Sequence, residues 1–283
     1  SVKLMSGLLN CGKYLPLGWL SGGGLTLELT LAPNADCLHQ ALGNTNAAYT
    51  VTNVHYNAQI VTPSSDFNDA FTQLLQRQGG VQFHGVSPRT FNSNFTGNVD
   101  QATVSVACRL KSIKSMFTIL RVPDQFSVNQ ATQCQRSLLG MNSYSVKVGA
   151  VQYPAQPLQS GTEFYAETAK AIGPLGDVRS ANRMDHARYN KSTYTKADAT
   201  PTPDVVLTAD AVTSGFVGLD YETFAQASSI LESGLDSSSL ALPINVDMKF
   251  ASAVPAGNIR VTNVILADVI FTLDSQGQIS ASM

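Results

Sequence analysis

The sequence predicts an all-β chain folded as an antiparallel sandwich with a few inserted helices. Three observations carry that prediction. Apolar and polar side chains alternate with a period of two through much of the chain, the rhythm of strands with one buried face. Helical spacing is confined to two or three short stretches. Helices do not alternate with strands, as a parallel α/β sheet would require.

The first alternating run is Leu25, Leu27, Leu29 and Leu31 against Thr26, Glu28 and Thr30. The next sets Val54, Tyr56, Ala58 and Ile60 against His55, Asn57 and Gln59. Thr62 to Asp66 then reads as a helix start, with a capping hydroxyl and an early proline. Phe67, Ala70, Phe71, Leu74 and Leu75 follow helical spacing, and Gly79-Gly80 stops it. Strands are expected at Val81–Val86, at Ala102, Val104, Val106 and Cys108, at Met116–Val122, and at Tyr144, Val146, Val148 and Ala150.

A second helix is expected from Ser160, where Glu163 completes a capping box; Phe164, Thr168, Ala171 and Ile172 share one face, and Gly173-Pro174 ends it. Residues 177–202 form a polar excursion with Arg179, Arg183, Arg188, Lys191 and Lys196, expected to be a solvated or subunit-facing surface. Strands follow at Val205–Val212 and Phe216–Leu219, with a short helix at Tyr221–Ala227. The clearest alternation is Leu240, Leu242, Ile244, Val246, Met248 and Phe250. Pro243 inside it argues for an edge or a bulge. Ile259–Leu273 is nearly all apolar and reads as a central strand, or one bent between two sheets. Together these suggest a sandwich of the jelly-roll type.

Composition narrows the function. Of 283 residues, 13% are charged, about half the usual ~25% for globular chains. Ser, Thr, Asn, Gln and Gly take their place, so much of the surface is neutral or covered by neighbours. Net charge is −2, and no block of Lys or Arg is present to neutralise phosphates, so direct nucleic-acid binding is not expected. No apolar run reaches the ~18 residues of a membrane span, and no signal peptide of the usual pattern is seen. The chain starts at Ser1, which fits missing or processed upstream sequence.

Chemistry is thin. Cys11, Cys37, Cys108 and Cys134 form no CxxC pair and read as free, mostly buried thiols. Cys37 and His39 could supply two metal ligands, but no second pair follows at zinc spacing. His55 falls on the polar phase of its strand, and His84 lies in the strand after the first helix. Asp185 and His186 read as a surface pair rather than a proton relay. Gly22-Gly23-Gly24 precedes a strand, not a helix, and reads as a turn. Asp220 and Glu222 could pair for glycoside hydrolysis only if folding brought them into register. Asn94-Phe95-Thr96 and Asn190-Lys191-Ser192 are sequons that matter only in a secretory pathway. No catalytic residue, cofactor site or metal site is expected, and the chain is not read as an enzyme.

Several segments resemble the major capsid proteins of the double-jelly-roll lineage, which includes nucleocytoplasmic large DNA viruses, virophages and Polinton-like viruses. They are Lys13–Leu17 with Leu25–Leu29, Tyr49–Thr62 leading into Phe67–Gln78, Arg109–Phe117, Val148–Pro154 and Ile259–Leu273. The resemblance implies part of a first jelly roll and a linking helix over 1–78, and a second roll over 79–283. The first roll is then either incomplete in this chain, or the protein is a single elaborated roll. It further implies a capsid protein of the virion, made inside the host cell and assembling as a homotrimer with neighbouring capsomers and minor capsid or penton proteins. The rival reading is a single-roll penton, spike, or receptor- or glycan-binding module. Trp19, the sole tryptophan, makes a thin platform for sugar stacking.

Overall fold

The computed structural model describes residues 6–9, 11, 13–21, 25–31, 48–122, 137–172, 189, 215–222, 234–239 and 243–283. They form strands β1 (Gly80–Thr96), β2 (Gln101–Val106), β3 (Ile113–Arg121), β4 (Met141–Val148), β5 (Val151–Leu158), β6 (Val217–Asp220), β7 (Ile244–Phe250), β8 (Asn258–Asp274) and β9 (Ile279–Ser282). Two α-helices join them, α1 (Ser65–Gln78) and α2 (Gly161–Ile172). The expected strand at Val205–Val212, most of the expected helix at Tyr221–Ala227, and the polar excursion apart from Tyr189 lie outside the described residues.

The chain divides into two compact units: Ser1–Leu38 with Thr45–Ser87 and Val269–Met283, and His39–Asn44 with Pro88–Asp268. In the first unit, α1 begins where the sequence placed it. The Ser64 hydroxyl accepts the amide of Phe67 at 3.4 Å, and Gly79 ends the helix in the left-handed region at φ 72°. Leu75, Phe83 and Leu273 form a small core, flanked by Trp19, Phe71, Phe271 and Ile279. The Trp19 indole donates to Thr72 Oγ1 at 3.1 Å, and its ring lies 4.6 Å from that of Phe71. Strand β9 closes back on residues 270–273 of β8.

The strands form two antiparallel sheets, ordered β1-β8-β3-β6, with β9 off this path beside β8, and β2-β7-β4-β5. Within this order β1 lies beside β8, β2 beside β7, β3 beside β6 and β4 beside β5. Such nesting of first with last, working inward, is a long antiparallel ribbon rolled into a sandwich: the eight-stranded jelly roll. Alternation sets the register. Val104 faces Val246, Val106 faces Ile244 and Tyr144 faces Met248, with all six side chains buried. Helix α2 starts with the expected capping box: Ser160 Oγ accepts the amide of Glu163 at 3.2 Å, and Glu163 accepts that of Gln159 at 2.6 Å. It packs on β6, where Phe164 and Thr168 are buried and Ala171 rests against Gly218.

Three sequence expectations need correction. Residues 25–31 and 54–60 belong to no strand, and their large apolar side chains are exposed, from 41% at Leu27 to 82% at Ile60. Alternation supplies a strand's faces, but a strand also needs a neighbour for its backbone. Pro243 sits one residue before β7, outside the ladder, and its carbonyl accepts the Gly149 amide at 3.1 Å; β7 is a central strand, not an edge.

Candidate functional site

Among the described residues, the sequence-predicted candidates do not converge. His55 is exposed, and His84 is half-buried on β1. Cys37, His39, Cys134, Asp185, His186 and Asn190 lie outside the described residues, while Asn94 is exposed on β1. Cys11 and Cys108 are free thiols. Burial pushes the Cys108 thiol up to about 11, against a hydrogen bond with Ser237 that works the other way. Among the described residues, no group of three His, Cys, Asp or Glu side chains could hold a metal ion. Asp220 and Glu222 have separate roles: Asp220 Oδ1 accepts the backbone amide of Glu222 at 3.0 Å, and the Glu222 carboxylate turns to Lys114.

That ion pair belongs to a cluster the sequence reading missed. Strand β3 lies between β8 and β6, and Lys114 near its start reaches both sides. Its Nζ is 2.6 Å from Glu222, just past β6, and 3.4 Å from Asp268 on β8. Ser112 Oγ donates to Asp268 Oδ2 at 2.6 Å and accepts the Gly234 amide at 3.1 Å. Side-chain exposure is 12% for Lys114, 14% for Glu222 and 2% for Asp268. Burial works against the Lys114 ammonium, but the hydrogen bond with Glu222 and the charges of Asp268 and Glu222 outweigh it and hold its pKa above the ordinary lysine value. The arrangement staples three strands at one end of a sheet. A lone acid in the apolar run Ile259–Leu273 was the available signal, because a buried charge demands a partner.

A second polar set sits inside the sandwich. Thr118 Oγ1 bonds Tyr144 Oη and Asn263 Oδ1, each at 2.7 Å, bridging β3, β4 and β8. Under α2, Thr168 Oγ1 meets Tyr189 Oη at 3.0 Å and accepts the Gly218 amide at 2.8 Å. Burial drives the pKa values of Tyr144, Tyr189 and Tyr221 upward, so these phenols are neutral, structural groups.

The most unusual surface is apolar. Thirteen of the fourteen exposed large hydrophobic residues among those described fall in the first unit, and Val151 is the other. They include the four leucines of residues 25–31, then Val54, Tyr56, Ile60 and Val61, and Phe67 and Leu74 on α1. No described helix is long and apolar enough to cross a membrane.

Fold and surface together define a jelly-roll protein with an attached unit that is rich in exposed apolar residues. No family model matches the sequence, and no curated protein matches it. Solved structures do. The chain is similar to the mavirus major capsid protein at 10% identity and a TM-score of 0.41, over 72% of this chain and 42% of that one. It is similar to the Faustovirus major capsid protein at 8% identity and a TM-score of 0.41, over 73% and 36%. A third is PBCV-1 VP54 fitted into a reconstruction of the virophage Sputnik, at 8% identity and a TM-score of 0.46, over 78% and 54%. The chain thus spans from about a third to about half the length of the structures it matches.

Proposed function

We propose that the chain is a structural subunit of a viral capsid, located in the virion, that associates with copies of itself into trimeric capsomers tiling an icosahedral shell. The carrying observation is the crowding of exposed apolar residues onto the first unit: among the described residues, Val151 is the one large hydrophobic exposed in the second. A jelly roll is a stiff tile whose sheets close on each other. An apolar surface of that kind serves contact with other subunits rather than chemistry. Low charge fits repeated self-association, since like copies then repel weakly. Minor capsid or penton proteins are the further partners of such a tile. A glycan-binding role gains no support from Trp19, whose indole is engaged by Thr72 and Phe71.

Light scattering of the purified chain, with negative-stain imaging, tests this reading. Trimers, capsomers or shells are expected. A monomer that persists at high concentration would overturn it.

A further inference from the structure

The Lys114 cluster brings together the reactants of a covalent cross-link. Lys114 sits where the pairing of β3 with β8 shifts register, between Ile113 and Ser115. A bulge re-aims the side chain it carries. Here the ammonium lies 2.6 Å from the Glu222 carboxylate and 3.4 Å from Asp268 Oδ1. Backbone bonds hold the frame around it. The Asp268 amide donates to the Ser112 carbonyl at 3.0 Å, and the Tyr221 amide donates to the Lys114 carbonyl at 2.8 Å. Ile113 and Leu235 exchange both amide hydrogen bonds at 2.9 Å.

The two oxygens of Asp268 face different groups. Oδ2 takes the Ser112 hydroxyl at 2.6 Å, and Oδ1 faces Lys114. Asp268 itself is buried. An amine, an acyl carbon and a second carboxylate are thus held side by side, mostly away from water. Condensation to an amide needs those three parts: a nucleophile, an electrophile and a proton carrier, placed in advance.

We propose that Lys114 and Asp268 join in an intramolecular isopeptide bond that ties β3 to β8, with Glu222 carrying the protons. The Lys114 nitrogen gives a proton to Glu222 and attacks the Asp268 carboxyl carbon. The new C–N bond replaces the bond from that carbon to Oδ1. Two of the three ammonium protons pass through Glu222 to Oδ1, which leaves as water; the third stays on the amide nitrogen. Oδ2 becomes the amide oxygen and keeps the Ser112 hydroxyl, a donor already aimed at the charge that develops there. No oxidant or further reactant enters. One neutral amide replaces an ammonium and a buried carboxylate, which relieves their desolvation cost. The ion pair is the form in which the chain folds. Burial works against the ammonium, but Glu222 and Asp268 hold its proton in place, so the condensation is slow beside folding. The cross-link goes beyond the capsid reading and does not depend on it.

Intact-mass spectrometry of the purified full chain, followed through prolonged incubation at neutral pH, tests the proposal. A species lighter by one water should accumulate. Trypsin should release from it a branched peptide joining residues 112–121 to residues 261–283. Asp268→Asn should lose one ammonia instead, and Lys114→Met should keep its full mass. Glu222→Gln should slow the change on the order of a hundredfold, with circular dichroism showing the fold kept. A wild-type chain that stays at its sequence mass overturns the proposal, as does a water loss that persists in Lys114→Met. Glu222→Gln reacting at the wild-type rate overturns the proton-carrying role.

Discussion

Replacing Lys114 by Met removes the ammonium that Glu222 and Asp268 share while keeping most of the side chain's length and packing. The cost follows from what each acid has left. Glu222 is 14% exposed and can turn toward water. Asp268 is 2% exposed and keeps the Ser112 hydroxyl at 2.6 Å. Breaking a fully buried pair costs about 3–5 kcal/mol. Partial exposure of Lys114 and Glu222, and the surviving hydroxyl donor, place this case at the lower end, about 3 kcal/mol. That is a factor on the order of 100 in the unfolding constant. Urea unfolding followed by far-ultraviolet circular dichroism reads it as a lower midpoint at unchanged slope. The double variant Lys114→Met with Asp268→Asn should recover a large part of the loss, because an amide needs no counter-charge. A loss below about 1 kcal/mol would show that the cluster behaves as an ordinary surface pair, and the stapling argument would fail.

Three further outcomes are expected. Tyr144, Tyr189, Tyr221 and Lys114 all hold their protons to higher pH in the native state. Their contribution is therefore complete below about pH 10 and is lost above it, where the unfolded chain has already released its protons; the three phenols alone give a slope approaching 4 kcal/mol per pH unit. Tyrosinate absorbance should rise together with unfolding, and phenols ionising near pH 10 in an intact fold would contradict this. Thr168→Val removes the acceptor for the buried Gly218 amide and should cost about 1–3 kcal/mol by denaturant melt, where a neutral result would mean the amide finds another partner. Gly97→Ala would bring a Cβ within 1.9 Å of the Pro255 carbonyl, so a loss of about 1–3 kcal/mol is expected in a thermal melt, and an unchanged midpoint would refute the close approach.

The jelly-roll unit was legible wherever alternation coincided with a sheet partner. The buried positions of β2, Ala102, Val104 and Val106, are those the rhythm names. Both helices announced themselves through their caps. The same rhythm misled at residues 25–31 and 54–60, because periodicity reports which face would be buried and is silent on whether a neighbour exists. Strand length was also under-read: β1 continues ten residues beyond Val86, through a polar tail that carries no alternating signal. The Lys114 cluster was not legible because its members come from separate parts of the chain, at or beside β3, β6 and β8. Ser112 and Asp268 lie 156 residues apart, and only the topology brings them together.

The nested pairing of the sandwich dictates an order of events. Strands β4 and β5 are joined by a two-residue turn, whereas β1 waits for β8, more than 160 residues downstream by the first residues of each. Closing short loops costs less entropy and happens sooner than closing long ones. The ribbon therefore zips from its middle outward, and the seam between β1 and β8 closes only after β8 has been synthesised. Until then β3 has no β8 to lie against, and Lys114 has no Asp268. The sandwich is held open until β8 has been made and becomes rigid only then.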